Sequence, residues 1–395
     1  MPRPAVELAD IFRQHGEAYR AAHALPLQPL RVMRAIETCR TAVLGGHVEK
    51  CSHCDHTRIS YNSCRNRHCP KCQNTERAKW LEARKAELLP VEYFHVVFTL
   101  PEQIAALAFY NPRTVYGILF AATAETLTTI AADPQHLGAE IGFFAVLHTW
   151  GQNLRHHPHL HCVVPGGGLS PGRRRWIGCP TGFFLPVRVL SRLFRRLFLQ
   201  ALQQAFHQGQ LQFFGDLARL RRPEAFAAYL EPLRQAEWVV YAKPPFGGPQ
   251  QALAYLGRYT HRVAISNQRL ICCEQGQVAF HWKDYRHPEK IKQMTLDAEE
   301  FIRRFLAHVL PPGFPRIRHF GFLANRHKKE KLALCRKLLT SPAEEMLPAP
   351  PDCLEARVTL ALTLPRRCPR CGLGTMIRVE IVPAYRWPAR PPDSS

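Results

Sequence analysis

Histidines with a spacing suited to a metal site lie between residues 148 and 164, in HTWGQNLRHHPHLHCVV. In a strand, His159 and His161 point to one face while the leucine between them points to the other. His148 ends the preceding strand-like run, and a turn through residues 151–158 would return the chain as its antiparallel neighbour. We therefore expect His148, His159 and His161 to hold one divalent ion with open coordination positions, as a catalytic Lewis acid requires.

Two further histidines, His156 and His157, compete with His148 for the third ligand position. Proline has no N–H to donate to a strand ladder. Pro158 is therefore expected to interrupt the strand between His157 and His159, which ranks His157 below His148.

A pair of tyrosines supplies candidate nucleophiles. In AYLGRYTHRVAIS, Tyr255 and Tyr259 are four residues apart, which on a helix places both hydroxyls on one face. Such spacing alone is more typical of packing residues. Beside a metal site in a strongly basic chain, however, a tyrosine can attack a phosphodiester and conserve the bond as a phosphotyrosine. The phenol needs a base or cations to stabilise its oxyanion. Four basic residues close in sequence could do this or hold phosphates: Lys243, Arg258, His261 and Arg262.

The cysteines predict a zinc site near the N-terminus. Two C-x2-C pairs, Cys51 with Cys54 and Cys69 with Cys72, form the pattern of a tetrahedral site. The metal would supply the folding energy that a stretch with few apolar residues lacks. Alternative ligands, or ligands of a second ion, crowd the same stretch: Cys39, His47, His53, Cys64 and His68. Basic residues beside the pairs favour DNA contact over a purely structural role: Arg65, Arg67, Lys71 and Arg77.

A third C-x2-C pair, Cys368 with Cys371, lies in the C-terminal tail. Because a tetrahedral site needs four ligands, this pair needs two more. Cys335 and Cys353 are the nearest candidates in sequence.

The hydrophobic pattern predicts a mixed α+β protein. Strands are expected at 93–100, 142–148, 159–164 and 237–242, helices at 74–89, 114–132, 185–235 and 250–262, and a hairpin at 269–282. An amphipathic helix is expected within the first 30 residues, and Thr295 is expected to cap a later helix. The domains would be a zinc-binding domain at 1–90, a catalytic domain at 91–325 with a helical insertion at about 170–235, and a basic, proline-rich linker with a CxxC tail at 326–395.

Charge indicates the partner. The chain carries 53 Lys and Arg against 31 Asp and Glu, a net charge of +22, so nucleic acid is the expected partner. Basic stretches at 173–175, 192–196 and 326–331 would grip backbone phosphates. No membrane span or secretory signal is expected, because the most apolar stretch, 114–132, contains Glu125 and threonines. We expect a cytoplasmic, nucleoid-associated protein, whose paired cysteines are metal ligands rather than disulfides.

These motifs resemble a known family. HLH (159–161) followed by YLGRY (255–259) resembles the HUH endonuclease superfamily. Longer strings resemble its rolling-circle insertion-sequence transposases with an N-terminal zinc-binding domain: YNSCRNRHCPKCQ, HTWGQNLRHHPHLHCVVPGGG, YAKPPFGGPQQALAYLGRYTHRVAISN and FIRRFLAHVLPPGFPRIRHFGFLANR.

The resemblance implies a ferredoxin-like antiparallel sheet carrying the histidines, a tyrosine helix packed across it, and a small N-terminal zinc module. It also implies Mg²⁺ or Mn²⁺ at His159 and His161, structural Zn²⁺, and Tyr255 and Tyr259 as paired nucleophiles. His148 matches the third histidine by the spacing in conjugative relaxases. Imidazole ligands alone favour softer metals than Mg²⁺, so the sequence does not fix the identity of the catalytic ion.

The function we expect is nicking and rejoining of single-stranded DNA at element ends and at target DNA. The chain has no phosphate loop of the helicase type, so a host helicase or replication protein would have to separate the strands. The alternatives are a plasmid replication initiator or relaxase with the same chemistry, and a zinc-dependent DNA-binding regulator that does not cut.

Overall fold

The structure, a computed structural model, describes residues 4–243, 246, 251, 257, 263–284, 291–340 and 367–385. Its helices are α1 (Leu8–Ala22), α2 (Leu27–Glu37), α3 (Pro70–Lys85), α4 (Glu102–Tyr110), α5 (Pro112–Ala132), α6 (Val187–His207), α7 (Pro223–Gln235), α8 (Ala298–Leu306) and α9 (Lys328–Leu339). Its strands are β1 (Gly46–Cys51), β2 (Thr57–Tyr61), β3 (Tyr93–Thr99), β4 (Gly142–Trp150), β5 (His156–Pro165), β6 (Gly167–Leu169), β7 (Trp176–Gly178), β8 (Val240–Lys243), β9 (Leu270–Glu274), β10 (Gln277–Lys283), β11 (Ile291–Asp297), β12 (Ile317–Gly321) and β13 (Met376–Val382).

A five-stranded antiparallel sheet carries the predicted histidines. Its strand order is β12-β4-β5-β3-β8. Numbered along the chain, β3, β4, β5 and β8 are the four strands of a β-α-β-β-α-β unit, and they lie in the order 2-3-1-4. This is the ferredoxin-like arrangement, extended by β12 beside β4. The α+β class and the ferredoxin-like sheet are thus confirmed.

Helices α4 to α7 cover one face of this sheet. Phe94, Val96 and Phe98 alternate along β3 and are buried against these helices, as the two-residue period of a strand requires. Helix α5 is the one candidate membrane span by length and composition in the described part of the chain. Leu119 and Phe120 of this helix are buried in the same core, so packing accounts for its apolar character.

The N-terminal helices share a second core with residues from the far half of the chain. Helices α1 and α2 pack against α8 and the three-stranded sheet β11-β10-β9. Phe12 of α1 meets Phe305 of α8 edge to face, with ring centroids 5.5 Å apart. The zinc-binding segment is therefore anchored on an apolar core that its own cysteine-rich stretch could not provide.

Several local predictions are confirmed, among them the strands around 93–100, 142–148 and 159–164 and the hairpin at 269–282. Others are wrong. Thr295 lies inside β11, and α8 begins after Asp297 instead. The proline-spaced segment after α1 starts a second helix, α2, because a proline is tolerated in the first turn. The charged run after Asn325 begins helix α9, a helix that the sequence analysis did not predict.

Pro158 does not interrupt its strand, contrary to expectation. Strand β5 runs through it, and the register with β4 shifts between His148 and Trp150, which leaves an extra residue on β5. At such a bulge the missing proline N–H costs no ladder bond. The Pro158 carbonyl still accepts a hydrogen bond from the Leu100 N–H at 3.1 Å.

Candidate metal centre

Three histidines meet on the sheet face opposite α4 to α7. His148 on β4 lies directly across from His159 on β5, and His161 is two positions further along β5 on the same face. Each offers a ring nitrogen, and these atoms lie within 4.8 Å of one another. His148 and His161 are buried, whereas His159 is partly exposed. The three predicted ligands are therefore brought together, with access from the His159 side.

Hydrogen bonds orient two of the rings. The Nδ1–H of His159 donates to the His157 carbonyl at 2.7 Å, and Nδ1 of His161 bonds Nε2 of His95 at 2.8 Å. The Nε2 atoms of His159 and His161 face each other at 3.1 Å. Two imidazoles on one ion, with bonds of about 2.0–2.1 Å, place their nitrogens about 3 Å apart. The donor set thus fits a single cation.

His148 is positioned by its neighbours in the same strand. Its ring stacks on that of Trp150, with centroids 4.6 Å apart and an interplanar angle of 18°. Its ring meets that of His161 edge to face at 4.5 Å. Stacking fixes the ring plane, so the free rotation that would weaken a metal site is removed.

The competing histidines are not in this group. His156 points toward the helical side, where its Nδ1–H donates to the Ala105 carbonyl at 3.0 Å and its Nε2 accepts from the Tyr116 hydroxyl at 2.8 Å. Burial lowers its pKa to about 4, so it is a neutral packing residue. His157 lies on the strand edge before the pair, and its carbonyl rather than its ring serves the site.

His95 is a site residue that the sequence analysis missed. It lies on β3, opposite Val163 of β5 and Lys243 of β8, and is almost fully buried. Burial first, and then the charge of Lys243, lower the pKa of His95 to about 3. A neutral histidine inside the apolar strand YFHVVFTL was the available signal, because such a position otherwise favours an apolar side chain.

Five candidate site residues lie outside the described residues: Tyr255, Arg258, Tyr259, His261 and Arg262. Gly257, between the tyrosines in sequence, is buried and helical. A Cβ on Gly257 would approach Cδ1 of Leu81 on α3 to 2.6 Å. The adjacent Trp80 packs edge to face on Phe144 at 5.6 Å, and Phe144 lies on β4 on the same face as His148. Helix α3 therefore connects Gly257 to the histidine face.

The cysteines form two clusters, and this corrects the predicted grouping. The first cluster unites Cys69 and Cys72 with Cys39 and Cys64, and its sulfur atoms approach one another at 3.6 Å. Cys39 and Cys64 were among the alternatives. Sulfurs on one tetrahedral Zn²⁺, at bonds of about 2.3 Å, stand about 3.8 Å apart, so the geometry fits one ion.

The second cluster unites the pair Cys51 and Cys54 with the tail pair Cys368 and Cys371. The predicted partner Cys335 is buried in another core with Leu89 and Phe322 instead, and Cys353 lies outside the described residues. The sequence pattern predicted the wrong grouping because every C-x2-C pair offers two thiolates from one turn in the same way. Only the fold decides which pairs meet.

The basic residues beside the cysteines differ in their surroundings. Arg65 is exposed. Arg67 donates to the Phe314 carbonyl at 2.5 Å, and Lys71 forms an ion pair with Glu7 inside the fold. Arg67 and Lys71 thus have structural partners, and the prediction of DNA contact remains strongest for Arg65 and Arg77, both of which are exposed.

The longer basic stretches differ in the same way. Arg188, Arg192 and Arg196 are exposed at four-residue spacing on α6, where they form a positive stripe. Lys331 instead forms an ion pair with Glu140 at 2.5 Å. Because α6 covers the helical side of the sheet, the stripe lies on the side opposite the histidines.

Relatives identify the chain. Residues 142–331 match the family described as putative transposase, and residues 11–100 match the transposase zinc-binding domain. A putative transposase of Sinorhizobium fredii, y4qJ, is 63% identical over 398 residues, which cover 100% of both chains. This chain belongs to the transposase family. The transposase for insertion sequence element IS801 of Pseudomonas savastanoi pv. phaseolicola is 29% identical over 304 residues, covering 73% of this chain and 68% of the relative. No solved structure matches.

Membership of this family confirms the resemblance to insertion-sequence transposases with an N-terminal zinc-binding domain. A transposase acts on DNA, which accounts for the net charge of +22. The family also supports a DNA-cleaving role, and the histidine cluster lies within the matched transposase region.

Proposed function

We propose that this transposase nicks and rejoins single-stranded DNA at element ends through a 5′-phosphotyrosine, at a divalent ion held by His148, His159 and His161. One observation supports the proposal: the three imidazoles converge on the sheet face opposite α4 to α7, and the rings of His159 and His161 are anchored through Nδ1. Histidine ligands are typically fixed in this way, by a hydrogen bond from the second ring nitrogen.

In this mechanism the bound ion supplies Lewis-acid polarisation of the scissile phosphate. His159 and His161 direct their Nε2 atoms toward one point, and His148 supplies the third ring nitrogen from β4. Three neutral imidazole ligands would leave the full positive charge of a bound divalent ion to act on the phosphate. Nitrogen donors suit transition metals better than Mg²⁺, so we expect Mn²⁺ to support cleavage at lower concentration than Mg²⁺ does.

The nucleophiles in this proposal are Tyr255 and Tyr259. A tyrosine attack forms a phosphotyrosine and releases a 3′-hydroxyl, which later attacks the phosphotyrosine and restores the phosphodiester without an external energy source. Two tyrosines permit two successive strand transfers. In this proposal Lys243, which pairs with His95 at the edge of the face, binds a phosphate of the same DNA strand.

For the zinc-binding domain, we propose that Cys39, Cys64, Cys69 and Cys72 hold its structural Zn²⁺. The sulfur spacing of 3.6 Å supports four ligands on one ion. Three of these cysteines are buried in the core shared with α1, α2 and α8. Zinc would therefore stabilise the junction between the zinc-binding domain and the transposase domain.

A nicking assay on single-stranded DNA tests the function. The full-length protein, incubated with a labelled oligonucleotide from an element end, should cleave it only after Mn²⁺ or Mg²⁺ is added, and a chelator should stop the reaction. Binding to the same oligonucleotide should persist without the divalent ion. Tight binding with no cleavage in either metal would favour a DNA-binding regulator and contradict the proposal.

His95 is expected to act as a positioning residue for His161. When Nε2 of His161 binds the ion, its Nδ1–H donates to Nε2 of His95, the bond seen at 2.8 Å. His95→Ala should weaken Mn²⁺ binding by about 10–100-fold, the usual cost of losing such a partner. His95→Gln, whose amide oxygen can accept the same bond, should recover part of the affinity. Calorimetric titration of Mn²⁺ measures both.

His319→Gln is the matched control, because His319 lies on the same sheet face but contacts Phe144 rather than the cluster. It should bind Mn²⁺ like wild type. If His95→Ala lowers the melting temperature in chelator yet binds Mn²⁺ as tightly as wild type, His95 is a packing residue and the positioning role is wrong.

A further inference from the structure

The second cysteine cluster joins parts of the chain that are distant in sequence. The Sγ atoms of Cys51 and Cys371 are 3.7 Å apart, and those of Cys54 and Cys368 are 3.8 Å apart. These distances match the spacing of about 3.8 Å expected for thiolates on one tetrahedral Zn²⁺. They are far longer than a disulfide bond of about 2.05 Å. The arrangement is therefore that of a metal site.

Backbone N–H groups point at the sulfur atoms on both sides of the cluster. The N–H groups of His53 and Cys54 donate to Cys51 Sγ at 3.3 and 3.4 Å. In the tail, the Arg370 N–H donates to Cys368 Sγ at 3.4 Å. The Gly374 N–H likewise donates to Cys371 Sγ at 3.4 Å. Such donors stabilise the thiolate, which is the form that binds a metal. Both halves thus have the backbone of a metal-binding knuckle.

The strands beside the knuckles align the two halves. β13 pairs with β1 in antiparallel register from Cys51 opposite Met376 to Gly46 opposite Val382. At the end next to the cluster, the Ser52 N–H donates to the Thr375 carbonyl at 2.9 Å. This ladder, which has one register shift between Val48 and Glu49, places the tail pair beside Cys51 and Cys54.

Gly374 allows the close approach of the two knuckles. A Cβ at this position would lie 2.5 Å from Cys51 Sγ and 2.7 Å from the His53 Cβ, closer than such atoms can come. Any larger residue would push the tail away from the sulfur ligands. The sequence of the tail, CPRCGLGT, therefore suits the geometry of the site.

We propose that Cys51, Cys54, Cys368 and Cys371 bind a second structural Zn²⁺ that fixes the C-terminal tail to the zinc-binding domain. The family match to that domain ends at residue 100, so two of the ligands come from outside it. Four thiolates in tetrahedral spacing select Zn²⁺ among the abundant cellular ions. The site closes a loop between residues separated by 314 positions. The ion would therefore reinforce the contact that β13 and its flanking residues make with the zinc-binding domain. This inference is independent of the nuclease chemistry.

Zinc content of the full-length protein tests the proposal. The wild type should carry two Zn²⁺ per chain, one for each cluster, and Cys368→Ser with Cys371→Ser should leave one. As a matched control, Cys179→Ser with Cys272→Ser alters two cysteines outside both clusters and should leave two. A tail variant that keeps the full wild-type zinc content would overturn the proposal.

Combining variants identifies the partner of the tail pair. Cys51→Ser with Cys54→Ser should also leave one Zn²⁺, and the variant lacking all four cysteines should still leave one, because both pairs serve the same ion. If the quadruple variant instead binds less zinc than either double variant, the two pairs belong to different sites and the proposal fails.

A cleavage experiment on the otherwise unaltered protein avoids variants that misfold. A specific protease site is inserted between Pro350 and Pro351, and the cut protein is passed through a sizing column. The tail fragment should co-elute with the remainder in zinc and separate when a chelator removes the metal. Separation in the presence of zinc, or retention after all zinc has been removed, would contradict the proposal. Gly374→Val should release the fragment with all four cysteines intact.

Discussion

His159→Ala is expected to abolish metal-dependent cleavage while DNA binding remains close to that of the wild type. The change removes one of three ligands, a larger loss than the roughly 10–100-fold that follows from removing an outer hydrogen-bond partner. His159 is partly exposed on its strand, so the truncation leaves no buried cavity. Nicking of a single-stranded element end, measured in Mn²⁺ and in Mg²⁺, gives the rate. Binding of the same oligonucleotide in chelator gives the affinity.

His157→Ala is the matched control for this variant. His157 lies on the same strand two residues away, and it contributes to the site through its carbonyl, which alanine retains. We therefore expect His157→Ala to cleave at the wild-type rate. His161→Ala is a less specific test, because it also deprives His95 of its hydrogen-bond partner. Cleavage by His159→Ala at the wild-type rate would show that the ion is held elsewhere.

The sequence predicted the central part of the site because its signals are local. His148, His159 and His161 lie on adjacent strands joined by a short turn, so alternation along each strand determines the shared face. The same reasoning cannot reach His95, whose partner His161 is 66 residues away on a strand pair that only the sheet order defines. The position of His95 inside an apolar strand marks it as unusual, but it does not indicate which residue His95 contacts.

For the cysteines, too, the sequence predicts local structure but not contacts between distant parts of the chain. The spacing within each pair predicts a knuckle, and the knuckles are present. Which pairs lie together depends on the pairing of β13 with β1, strands that are far apart in the sequence. The sequence pattern favoured Cys51 and Cys54 with Cys69 and Cys72 because they are neighbours. In the fold, Cys39 and Cys64 instead join Cys69 and Cys72 in one cluster, and the tail pair joins Cys51 and Cys54 in the other.

Conversion of both Tyr255 and Tyr259 to phenylalanine is expected to eliminate the covalent protein–DNA adduct. Phenylalanine keeps the aromatic ring and removes only the attacking oxygen, so Mn²⁺ affinity and oligonucleotide binding should be unchanged. The adduct is measured as labelled single-stranded DNA that migrates with the denatured protein. Each single variant should still form an adduct if the other tyrosine can replace it, and unequal yields would reveal which tyrosine attacks first.

Tyr241→Phe is the necessary comparison for the tyrosine variants. Tyr241 is half exposed on β8 and pairs with Val97, which in turn pairs with His161, so it lies on the same face of the sheet as the histidines. If proximity to the face were sufficient, its hydroxyl could attack DNA. We expect Tyr241→Phe to retain the adduct, because the paired tyrosines, not Tyr241, carry the motif. The adduct could instead persist in the Tyr255 and Tyr259 double variant and disappear with Tyr241→Phe. That result would show that Tyr241 on β8 is the nucleophile, and it would refute the two-tyrosine mechanism.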